Sequence, residues 1–183
     1  MVAAAALAMG YNATAEDIAK RKAEDLMASL VQVIPSSVHD NELLADRRHV
    51  VDRVVYRAKA GPIVTAAAYE VTVNGYAGPI RILMGVTAKG EILGVRVLSH
   101  SETPGLGDKI EVAKNDWVRS FERLSLVNTS TEQWAVKKDG GRFDQFSGAT
   151  ITPRAVVKAV KAGLDFFDTY RFAIVRDGGE VKE

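Results

Sequence analysis

A threonine hydroxyl presented at the end of a small-residue loop, directly before a helix start, is the feature of this sequence with the clearest chemistry. The stretch Gly140-Gly141-Arg142-Phe143-Asp144-Gln145-Phe146-Ser147-Gly148-Ala149-Thr150-Ile151-Thr152-Pro153 begins with a glycine-rich approach and an acidic residue. It then narrows to Ser147, Gly148 and Ala149 and delivers Thr150. Thr152-Pro153 reads as a helix N-cap followed by proline at the first helical position, where a missing N–H does no harm. Unpaired N–H groups and the positive end of the macrodipole converge at such a terminus, which suits a phosphate. Gly148 and Ala149 leave room for a bulky phosphorylated group, and for the enzyme that attaches it, to approach Thr150. Arg154, Lys158 and Lys161 fall on the early turns, where water is as suitable a neighbour as a phosphate. Taken alone, Ser-Gly-Ala-Thr is also simply a turn before a capped helix.

A second stretch, Ser99-His100-Ser101-Glu102-Thr103-Pro104-Gly105-Leu106-Gly107-Asp108-Lys109, places one proline and two glycines in a tight exposed loop. Backbone amides in such a loop can approach a flat ring or a phosphate closely, although a plain strand-to-helix connection has the same composition. Asn74-Gly75-Tyr76-Ala77-Gly78-Pro79-Ile80 is a turn whose Tyr76 is either a ligand contact or a turn residue. The sequence shows no carboxylate pair for acid–base work, no Ser–His–Asp set and no P-loop, so no catalytic residue is assigned. His39, His49 and His100 are scattered, and no metal site is expected.

These segments need a scaffold, and the hydrophobic periodicity outlines one. Thr14-Ala15-Glu16-Asp17 resembles a capping box. Ile18, Lys22, Leu26, Leu30 and Val33 then recur at helical spacing until Pro35, which predicts a charged stalk helix. Ser36 to Arg48 reads as loop. Val50 to Lys59 and Ile63 to Val73 read as strands, followed after the Asn74–Pro79 turn by Ile80 to Ala88 and Ile92 to Leu98. Asp108 to Phe121 reads as a short helix and Trp134 to Lys138 as a further strand. The last helix opens at Thr152-Pro153 and buries Val156, Val160, Gly163, Leu164 and Phe167 before running out near Tyr170 to Val175. The expected class is α+β: an antiparallel meander with flanking helices and an amino-terminal stalk helix.

The 183 residues suit one domain, and 24 Lys+Arg against 23 Asp+Glu leave a net charge of +1. That balance lacks the basic excess of a nucleic-acid binder. Absence of cysteine removes disulfides, thiolate metal sites, iron–sulfur ligation and a cysteine nucleophile together. Any redox chemistry therefore requires a non-thiol cofactor. Val2 to Met9 is apolar but shorter than the roughly 20 residues that span a bilayer. It is either an alanine-rich leader or the exit end of a membrane anchor.

Asp144-x-x-Ser147-Gly148-Ala149-Thr150 resembles the Asp-x-x-Ser/Thr-Gly-Ala-Thr/Ser signature of the covalent FMN-binding domain family, in which a flavin transferase esterifies FMN through its phosphate to the last hydroxyl residue. By composition alone the pattern arises in about one chain in a thousand of this length. Glu102-Thr103-Pro104-Gly105-Leu106-Gly107 is similar to the family's second hallmark, a loop lying against the bound flavin. The Gly75-Tyr76-x-Gly78-Pro79-Ile80 turn is similar to its hairpin. At the amino end, Val33-Ile34-Pro35 and His39-Asp40-Asn41-Glu42-Leu43-Leu44 resemble the segment after the anchor helix in G subunits of the Rnf electron-transport complex.

The resemblance implies covalent FMN on Thr150, with Asp144, Ser147, Gly148, Ala149, Glu102, Thr103, Pro104, Gly105, Leu106, Gly107, Lys109 and Tyr76 as cofactor-binding residues. It implies other membrane subunits of the complex and a flavin transferase as partners, and a soluble domain facing the periplasm from the bacterial inner membrane. Residues 1–11 would then be the remnant of a truncated membrane anchor, 12–48 a stalk helix and loop, 49–176 the FMN-binding domain and 177–183 a solvated tail. The implied function is electron relay in a ferredoxin:NAD oxidoreductase that moves ions, the isolated chain being a carrier and not a complete catalyst. A C-type subunit of Na+-translocating NADH:quinone reductase shares the flavin signature, and a flavin-binding sensing or assembly module or a flavin reductase of a soluble substrate are the other readings.

Overall fold

The computed structural model describes residue 18 and residues 20–176. Residue 18 and residues 20–33 are helical (α1). Five strands follow: β1 (Arg47–Val50), β2 (Arg53–Ala60), β3 (Ile63–Asn74), β4 (Pro79–Thr87) and β5 (Ile92–Ser99). They form a single antiparallel sheet in the order β1-β2-β3-β4-β5. A run of short 3-10 turns leads to the long helix α2 (Ile151–Val175).

Alternation along the strands assigns a helix to each face of the sheet. On one face Val55, Ala67, Tyr69, Val71, Ile80, Ile82 and Met84 pack with Val156, Val160, Leu164 and Phe167 of α2. On the other, Ala58, Ala66, Ala68 and Leu83 meet Leu30, Val33 and Ile34 at the end of α1. Small residues set both approaches. A Cβ at Gly163 would lie 2.2 Å from Met84 Sδ, and one at Gly85 would lie 2.1 Å from the Val33 carbonyl oxygen. The buried Tyr69 hydroxyl donates to the Gly163 carbonyl at 2.8 Å, and burial pushes this phenol far above its ordinary titration range. Arg48 reaches across to hold the end of α2, its guanidinium donating to the Ala173 and Arg176 carbonyls at 2.6 and 2.7 Å.

The meander and the stripe of α2 match the sequence expectation, and four details differ. The strand expected from Val50 to Lys59 is the second arm of a hairpin that turns at Val51-Asp52, with Arg47 and Arg48 in the first arm instead of in loop. Val51 is exposed and has φ 56°, a conformation that β-branched residues rarely adopt, so its hydrophobicity misled the strand assignment. The helix expected over Asp108 to Phe121 is two 3-10 turns, Gly107–Ile110 and Asp116–Phe121. The Asn115 side chain accepts from Trp117 N–H at 2.8 Å and restarts the chain between them. Trp134 to Lys138 pairs only through a bridge from Val136 to Phe143, because the segment is occupied by 3-10 turns at Thr131–Gln133 and Lys137–Asp139. Finally, α2 begins at Ile151 with Thr150 as N-cap, which puts Pro153 at the third helical position and leaves Thr152 inside the first turn. Proline is still tolerated there, since no intrahelical acceptor awaits its N–H. The capping box at Thr14–Asp17 and the apolar stretch Val2–Met9 lie outside the described residues. Among those residues no helix is long and apolar enough to cross a membrane.

Candidate flavin site

Three loops separated in sequence meet at the amino end of α2. They enclose a cavity of about 320 Å³ lined by Tyr76, Glu102, Thr103, Leu106, Gly107, Gly148, Ala149, Thr150, Ile151 and Thr152.

The first loop carries Thr150. Ala149 N–H donates to the Phe146 carbonyl at 3.1 Å, closing a turn in which Gly148 takes φ 80°. Glycine reaches that conformation without strain. The Trp117 indole N–H holds the start of this segment by donating to the Asp144 carbonyl at 2.8 Å. Trp117 itself sits in an aromatic cluster with Phe121, Phe143 and Phe146. Thr150 is half-buried, and its side chain makes no capping hydrogen bond to the helix. Its hydroxyl is therefore not consumed by the role in which threonine most often appears at a helix start.

The second loop closes over the first. Leu106 and Gly107 N–H both donate to the Thr103 carbonyl at 3.1 Å, around Pro104 and Gly105, the latter at φ 77°. Leu106 lies against Gly148, where a Cβ would meet Leu106 Cδ2 at 3.4 Å. Behind this loop, Asp108 and Glu111 both bind Lys114 at 2.9 Å. Lys114, and then the Gly105 N–H, hold the Asp108 carboxyl below the usual range, while Lys114 and then His100 do the same for Glu111. The third segment is the β3–β4 turn, in which Gly75 N–H donates to the Gly78 carbonyl at 2.7 Å and Tyr76 stands exposed at the rim.

Of the residues singled out in the sequence, Thr150, Ala149, Gly148, Glu102, Thr103, Leu106, Gly107 and Tyr76 line the cavity. Pro104 and Gly105 shape the turn beside it without lining it. Asp144 faces solvent and pairs with Lys137 at 2.6 Å, Ser147 is exposed, and Lys109 lies in the following 3-10 turn away from the walls. Arg154 is held by Asp139 through two hydrogen bonds of 2.6 Å, and Lys161 by Asp165 at 3.0 Å. Among the described residues no lysine or arginine lines the cavity, so the attraction they offer an anion there comes from the α2 terminus. Thr152 and Ile151 complete the walls. Sequence reading assigned Thr152 to capping, and nothing local signals that its hydroxyl bonds Glu102 across 50 positions.

The contents suit FMN. The volume is at the lower end for an organic cofactor, the walls are small or apolar, and Gly148 and Gly107 let backbone approach a flat ring. A larger groove of about 830 Å³ lies between α1 and the sheet, but it is lined by Lys22, Asp25, Arg53, Glu70 and Arg81 and receives none of the three motifs. Among the described residues no group of His, Asp or Glu is placed to hold a metal ion.

Fold and site together define an FMN-binding domain, and the sequence pattern of that family matches residues 75–165. The chain belongs to the family of G subunits of ion-translocating oxidoreductase complexes, the Rnf group. It is 53% identical to the ion-translocating oxidoreductase complex G subunit of Cereibacter sphaeroides, over 93% of this chain and 80% of that protein. It is 49% identical to the protein of the same name from Stutzerimonas stutzeri, over 89% and 74% of the two chains. The fold is similar to the crystal structure of Shewanella oneidensis NqrC, with a TM-score of 0.52 and 22% identity, covering 79% of this chain and 72% of that one.

Proposed function

We propose that this chain is the electron-transfer flavoprotein subunit of a membrane-bound ferredoxin:NAD oxidoreductase that translocates ions, and that it carries FMN as a phosphoester on Thr150. The observation that carries this reading is the position of Thr150: an uncapped hydroxyl at the α2 terminus, on the wall of the cavity where all three motifs meet.

Attachment requires an activated phosphate, because a phosphate monoester offers no adequate leaving group. FAD supplies one in its phosphoanhydride. The Thr150 oxygen forms the new bond to the FMN phosphorus, the phosphoanhydride bond breaks, AMP leaves, and the hydroxyl proton passes to a base on the transferase. A threonine hydroxyl needs such help at neutral pH. The resulting diester keeps about one negative charge, which the free N–H groups of Ile151 and Thr152 and the helix dipole favour. Leu106, Thr103 and Tyr76, which line the same cavity, would hold the ring. When bound, FMN supplies the electron chemistry, and the protein supplies position and potential.

Covalent attachment retains the cofactor where no FMN pool could replace it, in keeping with a domain held at the periplasmic face of the inner membrane. In this reading residues 49–176 are the flavin domain, and the other membrane subunits of the complex are the redox partners. The test is coexpression with the flavin transferase, denaturation, and detection of in-gel flavin fluorescence with a mass gain of one FMN unit. Thr150→Ser keeps the label and Thr150→Ala loses it; a labelled Thr150→Ala protein overturns the attachment.

A further inference from the structure

We propose that Glu102 is the positioning residue of this site: its carboxylate bolts the β3–β4 turn and the first turn of α2 to the 99–107 loop, so that the cavity is assembled before a cofactor arrives. The proposal rests on the reading that the cavity receives FMN.

Glu102 is only 4% exposed, and Lys114, further along the chain, is held by Asp108 and Glu111. A buried carboxylate is tolerated only when hydrogen-bonded, and both oxygens are engaged by segments distant in sequence. Oε1 accepts from Ala77 N–H at 2.9 Å, and Oε2 accepts from the Thr152 hydroxyl. The backbone of Glu102 is fixed in turn, its N–H donating to His100 Nδ1 at 3.0 Å. Because a backbone N–H can only donate, Nδ1 is the unprotonated nitrogen. The ring proton is therefore on Nε2, which donates to Glu111 Oε1 at 2.7 Å. Glu111 is itself held by Lys114.

Two glycines permit this closeness. A Cβ at Gly75 would stand 2.4 Å from Glu102 Oε1, and one at Gly107 would stand 2.9 Å from both Glu102 Cβ and Thr152 Oγ1. The three segments that bear the cavity walls thus converge on one side chain. Thr152 is two residues after Thr150, so fixing its hydroxyl fixes the turn that presents the acceptor oxygen. Loss of the carboxylate leaves the Ala77 N–H and the Thr152 hydroxyl without their acceptor and frees the walls to move independently.

The experiment compares Glu102→Ala, Glu102→Gln, Thr152→Val and Thr152→Ser with the parent chain, before and after labelling. In unlabelled protein, Glu102→Ala should raise hydrogen exchange at the Ala77 amide at least tenfold while Val71 and Ile82 in the sheet keep their protection. During labelling by the transferase, Glu102→Ala and Thr152→Val should lower kcat about tenfold with KM for the protein chain unchanged. The visible circular dichroism of the attached flavin should weaken in parallel. Glu102→Gln and Thr152→Ser retain hydrogen-bonding groups of the same reach and should restore most of each signal. Thr152→Val removes only a hydroxyl and serves if Glu102→Ala does not fold. Unchanged Ala77 exchange in Glu102→Ala, or a loss of protection spread evenly through the sheet, overturns the proposal. A parent chain that never takes the label while its Ala77 exchange still obeys Glu102 counts against the FMN reading and leaves the bolt standing.

Discussion

The hydroxyl of Thr152, in the first turn of α2, donates its hydrogen to the carboxylate of Glu102, 50 positions earlier in the chain. Through that bond the loop after β5 and the helix that presents Thr150 become one wall. A second bond, from Ala77 N–H to the same carboxylate, brings in the β3–β4 turn. Perturbations of the contacts around this junction and of the sheet beneath it have separable consequences.

Gly107→Ala places a methyl 2.9 Å from both Glu102 Cβ and Thr152 Oγ1. Neither neighbour is the loose end of a flexible chain, so the loop must shift outward. The expected cost is about 1–3 kcal/mol of stability. Flavin incorporation should fall with it, whereas Gly140→Ala, whose methyl meets nothing within 4 Å but whose φ of 85° strains any side chain, should cost stability while leaving incorporation near the parent value. Urea denaturation and in-gel fluorescence check both; equal labelling of the two variants would contradict the tight packing at Gly107.

Tyr69→Phe removes the hydroxyl that bonds the Gly163 carbonyl between sheet and α2. A lost neutral hydrogen bond of this kind costs about 1 kcal/mol. For a chain of this size the melting temperature should drop by about 2–4 °C. The label on Thr150 should be unaffected, since the contact lies well along the helix and not at its terminus.

Val51→Gly should raise the melting temperature by a similar amount. Val51 turns the β1–β2 hairpin at φ 56° with its side chain 57% exposed, so the substitution relieves strain and loses little burial. Positive φ costs a non-glycine residue about 1–2 kcal/mol, against roughly 0.5–1 kcal/mol for glycine's greater freedom when unfolded. A lower melting temperature on calorimetry would show that the exposed valine contributes packing instead.

Stability should fall on acidification. Asp108 and Glu111 titrate below their ordinary values of 3.8 and 4.5, chiefly through Lys114. At Asp46 burial alone would raise the value, but hydrogen bonds from Lys59 and Arg57 outweigh it and lower the carboxyl below 3.8. A depressed carboxyl contributes stability that is complete above its unfolded value and is lost as pH falls through the folded one. The unfolding free energy should therefore be level from neutrality to about pH 5 and decline below about pH 4. Asp46→Asn should flatten part of that decline, which urea titrations at a series of pH values would show.

Local pattern carried much of this protein. Alternation along Ile63–Asn74 and Pro79–Thr87, and the stripe from Val156 to Phe167, are consequences of chain period and burial that any reader of the residues can recover. Asp144-x-x-Ser147-Gly148-Ala149-Thr150 was likewise visible, because glycine conformation and a hydroxyl before a helix are short-range properties. Short range also explains the misses. Val51 looks like a strand residue by type, and only pairing of Arg48 with Val55 shows the chain reversing there. Thr152-Pro153 looks like a cap, whereas in the fold the helix starts after Thr150 and the Thr152 hydroxyl turns to Glu102. The composition determined that any redox chemistry of this cysteine-free chain needs a non-thiol cofactor, and the motifs marked the loops that meet at the FMN-binding cavity. Which hydroxyl is left free, and which carboxylate is buried beside it, was decided by tertiary contacts, because hydrogen bonds between residues 25 and 50 positions apart exist only after the sheet and α2 have brought their partners together.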